Sequence, residues 1–394
     1  MSTLAQACDA VLERVTTGAE RVPGVVAMVT NETENIYEGA AGVRRWGSDD
    51  PMSDDTVFAV LSTSKAVGGT AVLQCVEEGL LDFDAPAKNY APEIGDLQVL
   101  EGFDADGNPQ LRPPKRDITT RMLMLHTAGL GYDIFNENYF RLAQEHGQPS
   151  ILTCTRASMS TPLLFDPGDR WEYGTNIDWA CQVVEAIRGK RIGEVLQERV
   201  FAPLEMDDMA FTRTADMKAR TAIFHRREED GSLSPMDDFA LPDDPDVEMT
   251  GHGLYARIPD YMKFIRMWLN DGAGPHGRVL KPETVQFAVQ GALQPPQALF
   301  DLPAVIPTLT HGTPFFPGMK KDFGYSFMVA KEEAPTGRPA GGIGWHGLAN
   351  LFYWFDRENR VGGFWATQVL PFGDPVSFPG YMAFETAVYE TLKA

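Results

Sequence analysis

The sequence predicts an α/β fold of the α+β kind: an antiparallel sheet built from both ends of the chain, flanked by helices, with a mostly helical region inserted between. Three observations predict it. Near the start, residues 25–30 read as a strand, the polar run Asn31-Glu32-Thr33-Glu34-Asn35 as a turn, and residues 36–43 as the returning partner. Near the end, residues 323–330, 351–356 and 361–368 are strand-like runs rich in aromatic and β-branched side chains, with Asp356-Arg357-Glu358-Asn359 turning between the last two. Between the two ends, helical periodicity and turn signals dominate from about residue 80 to 210. Hairpins of this kind argue against a doubly wound parallel sheet.

Taken in order, residues 4–15 have the apolar spacing of an amphipathic helix and precede the first hairpin. An apolar run ending at residues 58–61 leads into a helix that reaches Gly79. In the middle region, Asp104-Ala105-Asp106-Gly107-Asn108-Pro109 is a surface turn of hairpin type. A short helix at 119–125 ends in His126-Thr127-Ala128-Gly129, with Gly129 as its cap. Pro167-Gly168-Asp169-Arg170 is a turn, followed by helices at 178–188 and 193–201. Residues 237–246 form an acidic, proline-bearing loop, and 291–322 a long loop without periodicity. Between those loops Ile258-Pro259-Asp260 opens a strongly amphipathic helix that Asn270-Asp271-Gly272 closes, and residues 379–392 form the final helix. The expected organisation is a sheet domain of residues 1–80 and 211–394, a helical domain of residues 81–210, and an active site at their interface.

A chain of 394 residues is long enough to bury a large core over two such domains. A hydrophobic content of 43% with 23% charged residues is ordinary for a globular protein. The formal net charge of −21 opposes nucleic acid and anionic membrane as partners. Cys8, Cys75, Cys154 and Cys181 are scattered, with no Cys-x-x-Cys, so free buried thiols are expected rather than disulfides or a zinc site. No basic, apolar leader pattern opens the chain and no run of about 18 apolar residues occurs, so the expectation is a cytoplasmic protein without a membrane span.

The residues that carry chemistry lie at the start of the helix after 58–61. Ser62-Thr63-Ser64-Lys65 puts a hydroxyl and an amine three residues apart, on one helix face, at an N-terminus where backbone N–H groups are unpaired. A lysine among apolar residues can take a serine proton, and free N–H groups can stabilise an oxyanion. Other readings fail on context. Gly342-Ile343-Gly344-Trp345-His346-Gly347 matches a dinucleotide-binding pattern, but an aromatic strand follows it where a helix is required. No Gly-x-Ser-x-Gly occurs, and the seven histidines show no metal-ligand spacing. His126, after an apolar helix, reads as a buried structural histidine. No metal or cofactor is expected.

Several segments carry a resemblance: Phe58-Ala59-Val60-Leu61-Ser62-Thr63-Ser64-Lys65, Leu123-Met124-Leu125-His126-Thr127-Ala128-Gly129-Leu130, Pro167-Gly168-Asp169-Arg170-Trp171-Glu172-Tyr173, Pro203-Leu204-Glu205-Met206, Gly251-His252-Gly253-Leu254-Tyr255, Phe323-Gly324-Tyr325 and Gly344-Trp345-His346-Gly347. In this order they resemble the serine β-lactamase and penicillin-binding-protein superfamily, most of all its class C-like esterases, the family VIII carboxylesterases. The resemblance implies a β-lactamase/transpeptidase-like fold. It implies Ser62 as acylated nucleophile, Lys65 as its partner, and Tyr173 as a proton relay whose phenolate or hydroxyl works with the lysine. It implies Trp345, His346, Gly347 and Asn176 as substrate-binding residues and the backbone N–H groups of Ser62 and Leu348 as oxyanion hole.

The sequence departs from the family pattern in three places. Asn176 stands one position late for Tyr-x-Asn. Trp345 replaces the lysine that receives a β-lactam carboxylate, and His346 stands where the esterases often have glycine. An alternative register would put His346 at the lysine position, but Leu348 would then fall where glycine is expected. These departures favour a small uncharged ester as substrate and a serine esterase as the activity. An acyltransferase or amide hydrolase on the same acyl-enzyme, a β-lactamase or D-alanyl carboxypeptidase, and a non-catalytic binding protein are the alternatives. Oligomeric state is not legible.

Overall fold

The structure is a computed structural model that describes residues 3–312 and 316–393. Its centre is a seven-stranded sheet of β1 (Gly24–Thr30), β2 (Asn35–Gly42), β3 (Lys321–Phe323), β4 (Met328–Ala330), β5 (Ile343–Gly347), β6 (Leu351–Asp356) and β7 (Val361–Ala366), in the spatial order β3-β4-β5-β6-β7-β1-β2. Every neighbouring pair is antiparallel, and the two chain ends meet where β1 pairs with β7, Val26 opposite Ala366. The arrangement is the β-lactamase/transpeptidase-like fold that the sequence predicts.

Strand alternation sorts the side chains of this sheet to two helical layers. Phe352 and Trp354 of β6 stack on Tyr381 and Phe384 of the C-terminal helix, with ring centroids 4.3 and 5.9 Å apart. Tyr353 and Phe355, the alternate residues, meet Tyr261 and Trp268 at 5.5 and 5.8 Å. The main helices are α1 (Leu4–Thr17), α2 (Ser64–Glu77), α3 (Asn176–Arg188), α4 (Ile258–Leu269) and α5 (Ser377–Leu392). α1 and α5 pack together over one face of the sheet, and α4 covers the other. The first turn of α1 is fixed by a capping box between Thr3 and Gln6. Proline in the first turn of α4 suits an N–H that has no helical partner.

α2 has no polar face: residues 64–75 are all buried. Two glycines let it approach its neighbours. A Cβ on Gly68 would lie 2.6 Å from the Thr250 side chain, and one on Gly69 would lie 2.0 Å from Ser326 Oγ. A small sheet holds the ends of α2's approach: Val57–Ala59 pairs with Tyr255–Arg257, which pairs in turn with Met209–Ala210. The Ala59–Tyr255 pairing draws residues 251–254 beside the first turn of α2.

Local readings of the sequence differ from the fold in a few places. Residues 323–330 are two strands, not one, because the chain turns at Gly324–Phe327 with Ser326 in the left-handed region at φ +91°. The hairpin expected around Asp104 forms between Val99–Phe103 and Pro109–Arg112. The three-residue strands Val57–Ala59, His225–Arg227 and Leu233–Pro235 carry too little periodicity to be legible. The four cysteines are free and buried. Among the described residues no helix is long and apolar enough to cross a membrane, and no cluster of His, Cys, Asp and Glu has the makings of a metal site.

Candidate active site

Ser62 lies in a 3₁₀ turn, Leu61–Thr63, from which α2 continues. Leu61, directly before it, adopts φ +47°, a left-handed conformation that costs a non-glycine residue on the order of 1–3 kcal/mol and persists only when neighbours enforce it. Two hydrogen bonds enforce it. Thr63 Oγ1 donates to the Val60 carbonyl at 2.8 Å, and Tyr261 Oη donates to the Thr63 carbonyl at 2.7 Å. β5 closes on the same turn: a Cβ on Gly347 would lie 2.8 Å from the Val60 carbonyl oxygen.

Lys65, one helical turn on, is 1% exposed. Its Nζ donates to Ser62 Oγ at 3.2 Å, to Tyr132 Oη at 3.0 Å and to the Gly251 carbonyl at 2.6 Å. It also lies over the rings of Tyr173 and Tyr132, 4.6 and 5.1 Å from their centroids. Burial pushes the Lys65 ammonium down from 10.5 to about 7, against an upward pull from the Asp178 carboxylate. A substantial fraction of Lys65 is therefore a neutral amine near neutral pH, in reach of the Ser62 proton.

Tyr173 completes the group. Its oxygen accepts from Trp345 Nε1–H at 2.9 Å, and the Ser62 side chain is its other hydrogen-bond partner. An indole N–H only donates, so Tyr173 keeps its own proton available for donation. Burial raises the phenol above its ordinary 10, outweighing those two hydrogen bonds. Of the two forms that the resemblance left open for Tyr173, burial favours the hydroxyl.

Ser62 and Tyr173 stand at one wall of a pocket, with Lys65 buried against Ser62. Leu61, Ile134, Phe135, Ile151, Leu152, Leu348 and Phe372 make its lining mainly apolar, with Ser62, Tyr132, Tyr173, His252 and His346 as the polar members. Burial first, and the Lys65 charge second, lower His252 and His346 to about 3, so both imidazoles are neutral. The long loop of residues 291–322 and the segment after the acidic loop brace this wall. Val305 N–H donates to the Ile134 carbonyl at 3.2 Å, and His311 N–H to the Phe372 carbonyl at 2.9 Å. Directly after the acidic loop, Val247 N–H donates to the Cys154 carbonyl at 2.9 Å, just beyond Ile151 and Leu152.

Not every residue implied by the resemblance reaches the pocket. His346 and Leu348 line it, whereas Trp345, Gly347 and Asn176 do not. Trp345 donates its indole N–H to Tyr173, and the apolar lining comes from other residues. Gly347 supplies close backbone contact with the Ser62 turn. Asn176 is fully buried, its amide Nδ2 directed at His126 Nδ1 and the Leu130 carbonyl, both at 3.0 Å. One position late for Tyr-x-Asn, it begins α3 and ties loops together instead of facing Lys65. His126 is buried and structural in the same contact. Among the described residues, no turn, loop or cap hydrogen bond uses the N–H of Ser62 or of Leu348.

Sequence reasoning missed Tyr132, Gly251 and Asp178. Tyr132 follows Gly129-Leu130-Gly131, where a turn signal hid it. Gly251 acts through its carbonyl, which no side-chain pattern reveals. Asp178 left one signal, a carboxylate among Ile177, Trp179 and Ala180 on a buried helix.

The fold and this constellation define a class: a β-lactamase-fold enzyme that works through a serine acyl-enzyme. Residues 9–381 match the Beta-lactamase family, and the chain belongs to that family. Its relatives include the monacolin J acid methylbutanoyltransferase of Aspergillus terreus, 31% identical over 94% of this chain and 92% of the relative. The lovastatin esterase of Penicillium rubens is also 31% identical, over 89% of this chain and 90% of that one. Among solved structures, unliganded simvastatin synthase (LovD) from Aspergillus terreus superposes with a TM-score of 0.86 at 29% identity, covering 99% of this chain and 98% of the other.

Proposed function

We propose that this enzyme is an acyltransferase that moves a short aliphatic acyl group, through an ester on Ser62, to a hydroxyl of a small-molecule acceptor. The observation that carries the reading is the contact of Ser62 Oγ with Lys65 Nζ at 3.2 Å, with Ser62 itself on the wall of a mainly apolar pocket. The methylbutanoyltransferase relative supports transfer over the plain ester hydrolysis that the sequence alone favours.

In acylation, neutral Lys65 takes the Ser62 proton while Oγ attacks the donor carbonyl. The N–H groups of Ser62 and Leu348 would receive the oxyanion. The bond from the acyl carbon to the donor's leaving oxygen breaks, Tyr173 gives that oxygen its proton, and the Lys65 ammonium returns one to Tyr173. In the second half the acceptor hydroxyl attacks the acyl carbon, its proton passing through the same pair, and Ser62 Oγ leaves.

Hydrolysis is the second reading, favoured by the lovastatin esterase among the relatives. The two separate by product. The protein is incubated with 4-nitrophenyl 2-methylbutanoate, with and without an excess of a bulky secondary alcohol, and the acid and the new ester are quantified by mass spectrometry. Transfer predicts more ester than acid when acceptor is present. Acid alone across a panel of acceptors would make the enzyme a hydrolase.

A further inference from the structure

Asp178 sits in the first turn of α3, fully enclosed at 1% exposure, and the chemistry described so far gives it no task. Its Oδ1 accepts from the Gly251 N–H at 2.7 Å. The carbonyl of that same Gly251 receives Lys65 Nζ at 2.6 Å, and Lys65 Nζ reaches Ser62 Oγ at 3.2 Å. Carboxylate, peptide, amine and hydroxyl thus form one line, with a single glycine as the link. That glycine cannot carry a side chain: a Cβ would lie 2.4 Å from Asp178 Oδ2 and 2.9 Å from Tyr132 Oη. Asp178 Oδ2 has no hydrogen-bond partner among the described residues. A buried carboxylate left half-satisfied destabilises the fold unless a nearby charge offsets it.

The surrounding charges identify that offset. Around Asp178 stand Lys65, Tyr132, Tyr173, Cys154 and Cys181. Around Lys65 stand Asp178, Ser62, Tyr132, Tyr173, His126, His252 and His346. Burial holds the three imidazoles neutral and raises both phenols and both thiols. Lys65 is therefore the only cation in this set, and Asp178 the only anion.

We propose that Asp178 is a positioning residue for acyl transfer: it holds Lys65 against Ser62 across the Gly251 peptide and supplies the buried negative charge that steadies the ammonium whenever Lys65 carries the serine proton. This rests on Lys65 being the base. Burial raises the Asp178 carboxyl itself, against the pull of Lys65, so the two groups bind protons as a pair.

Asp178→Asn tests the proposal, because its amide oxygen keeps an acceptor for the Gly251 N–H while the charge is lost. Two readouts are followed against pH: kcat/KM for an aryl ester, and the Lys65 side-chain resonance in carbon-13 lysine-labelled protein. With the anion gone the ammonium is less favoured, so both midpoints should fall by about one pH unit or more, with KM little changed. A Lys65 resonance that titrates as in the wild type overturns the proposal. If the resonance moves and the rate profile does not, the Asp178–Lys65 coupling stands and Lys65 is refuted as the base. Should the variant not fold, the wild-type protein decides: the Asp178 carboxyl carbon and the Lys65 carbon must each respond to the other's titration, and independent single steps overturn the proposal.

Discussion

Tyr173→Phe removes one oxygen and keeps the ring, so its effects follow from the contacts of that oxygen. The ring keeps its neighbours, Trp345, Tyr132 and His126, at centroid distances of 5.1, 5.4 and 5.0 Å. Two things are lost. The Trp345 Nε1–H, now 2.9 Å from the hydroxyl, is left buried without an acceptor, at a cost of about 1–3 kcal/mol of stability. The proton path between Lys65, Ser62 and the leaving group is lost as well, which should lower kcat by about 10²-fold or more. Trp345→Phe is the internal control. It keeps the Tyr173 hydroxyl and forfeits one neutral hydrogen bond, about 0.5–1.5 kcal/mol, so kcat should fall by no more than about tenfold. The assay is kcat at saturating short-chain aryl ester, with near-ultraviolet circular dichroism and thermal melting on the same samples. Tyr173→Phe that is folded and within about threefold of wild-type kcat would refute the proton-transfer role. So would a larger loss in Trp345→Phe than in Tyr173→Phe.

Ser62→Ala should abolish covalent labelling by a fluorophosphonate, read by mass spectrometry. Ser64→Ala should keep it, because the Ser64 hydroxyl is spent accepting from the Leu254 N–H at 3.3 Å and costs only about 1 kcal/mol of stability when removed. On pH, the Lys65 ammonium is lowered to about 7 and only the neutral amine accepts a proton. A rate profile of kcat/KM should therefore rise with pH through neutrality and level above it; a limb near 10.5 would refute the burial argument. Cephalosporins should be far poorer substrates than short uncharged esters, compared by kcat/KM on one preparation. Trp345 stands where a lysine would hold their carboxylate, and the two histidines of the pocket are neutral. Comparable turnover of both would make β-lactam hydrolysis the leading activity.

The legible part of this site is the part written in adjacent residues. Ser62 and Lys65 fall on one helical turn, so their contact follows from spacing alone. The hairpin of β1 and β2 and the aromatic strands β6 and β7 were equally readable, because alternation and a polar turn are local signals. Tyr173 became visible through its resemblance to a family motif, not through any property of the segment. Tyr132, Gly251 and Asp178 lie 67, 186 and 113 residues from Lys65 in sequence, and only the folded chain brings them together. The resemblance implies Trp345 as a substrate-binding residue, whereas in the fold it does not line the pocket. Its indole N–H is directed at Tyr173, a side-chain direction that sequence does not encode. Asn176 shows the reverse: a motif off by one residue turns the amide into the loop contacts of His126 and Leu130.

Water and an alcohol compete for one acyl-enzyme, and the catalytic pair does not choose between them, since Lys65 and Tyr173 serve either. The choice lies in what holds the nucleophile near the ester. A water kept in a protein cavity needs about two to four polar partners. Here Tyr132 is engaged by Lys65, Tyr173 by Trp345 and Ser62, and His252 Nε2 by Cys154 Sγ at 3.5 Å, which leaves His252 Nδ1 as a single polar atom without a protein partner among the described residues. An acceptor alcohol needs fewer such partners, because its hydrocarbon body gains about 25 cal/mol for each Å² of apolar surface removed from water. Against a wall of Ile134, Phe135, Ile151, Leu152 and Phe372, that gain falls to the acceptor and not to water. On the proposed reading, an apolar pocket beside a fully buried lysine would favour transfer over hydrolysis with the same three side chains. Relatives named for each of the two activities are what such a scaffold permits when its pocket wall changes and its reacting groups do not.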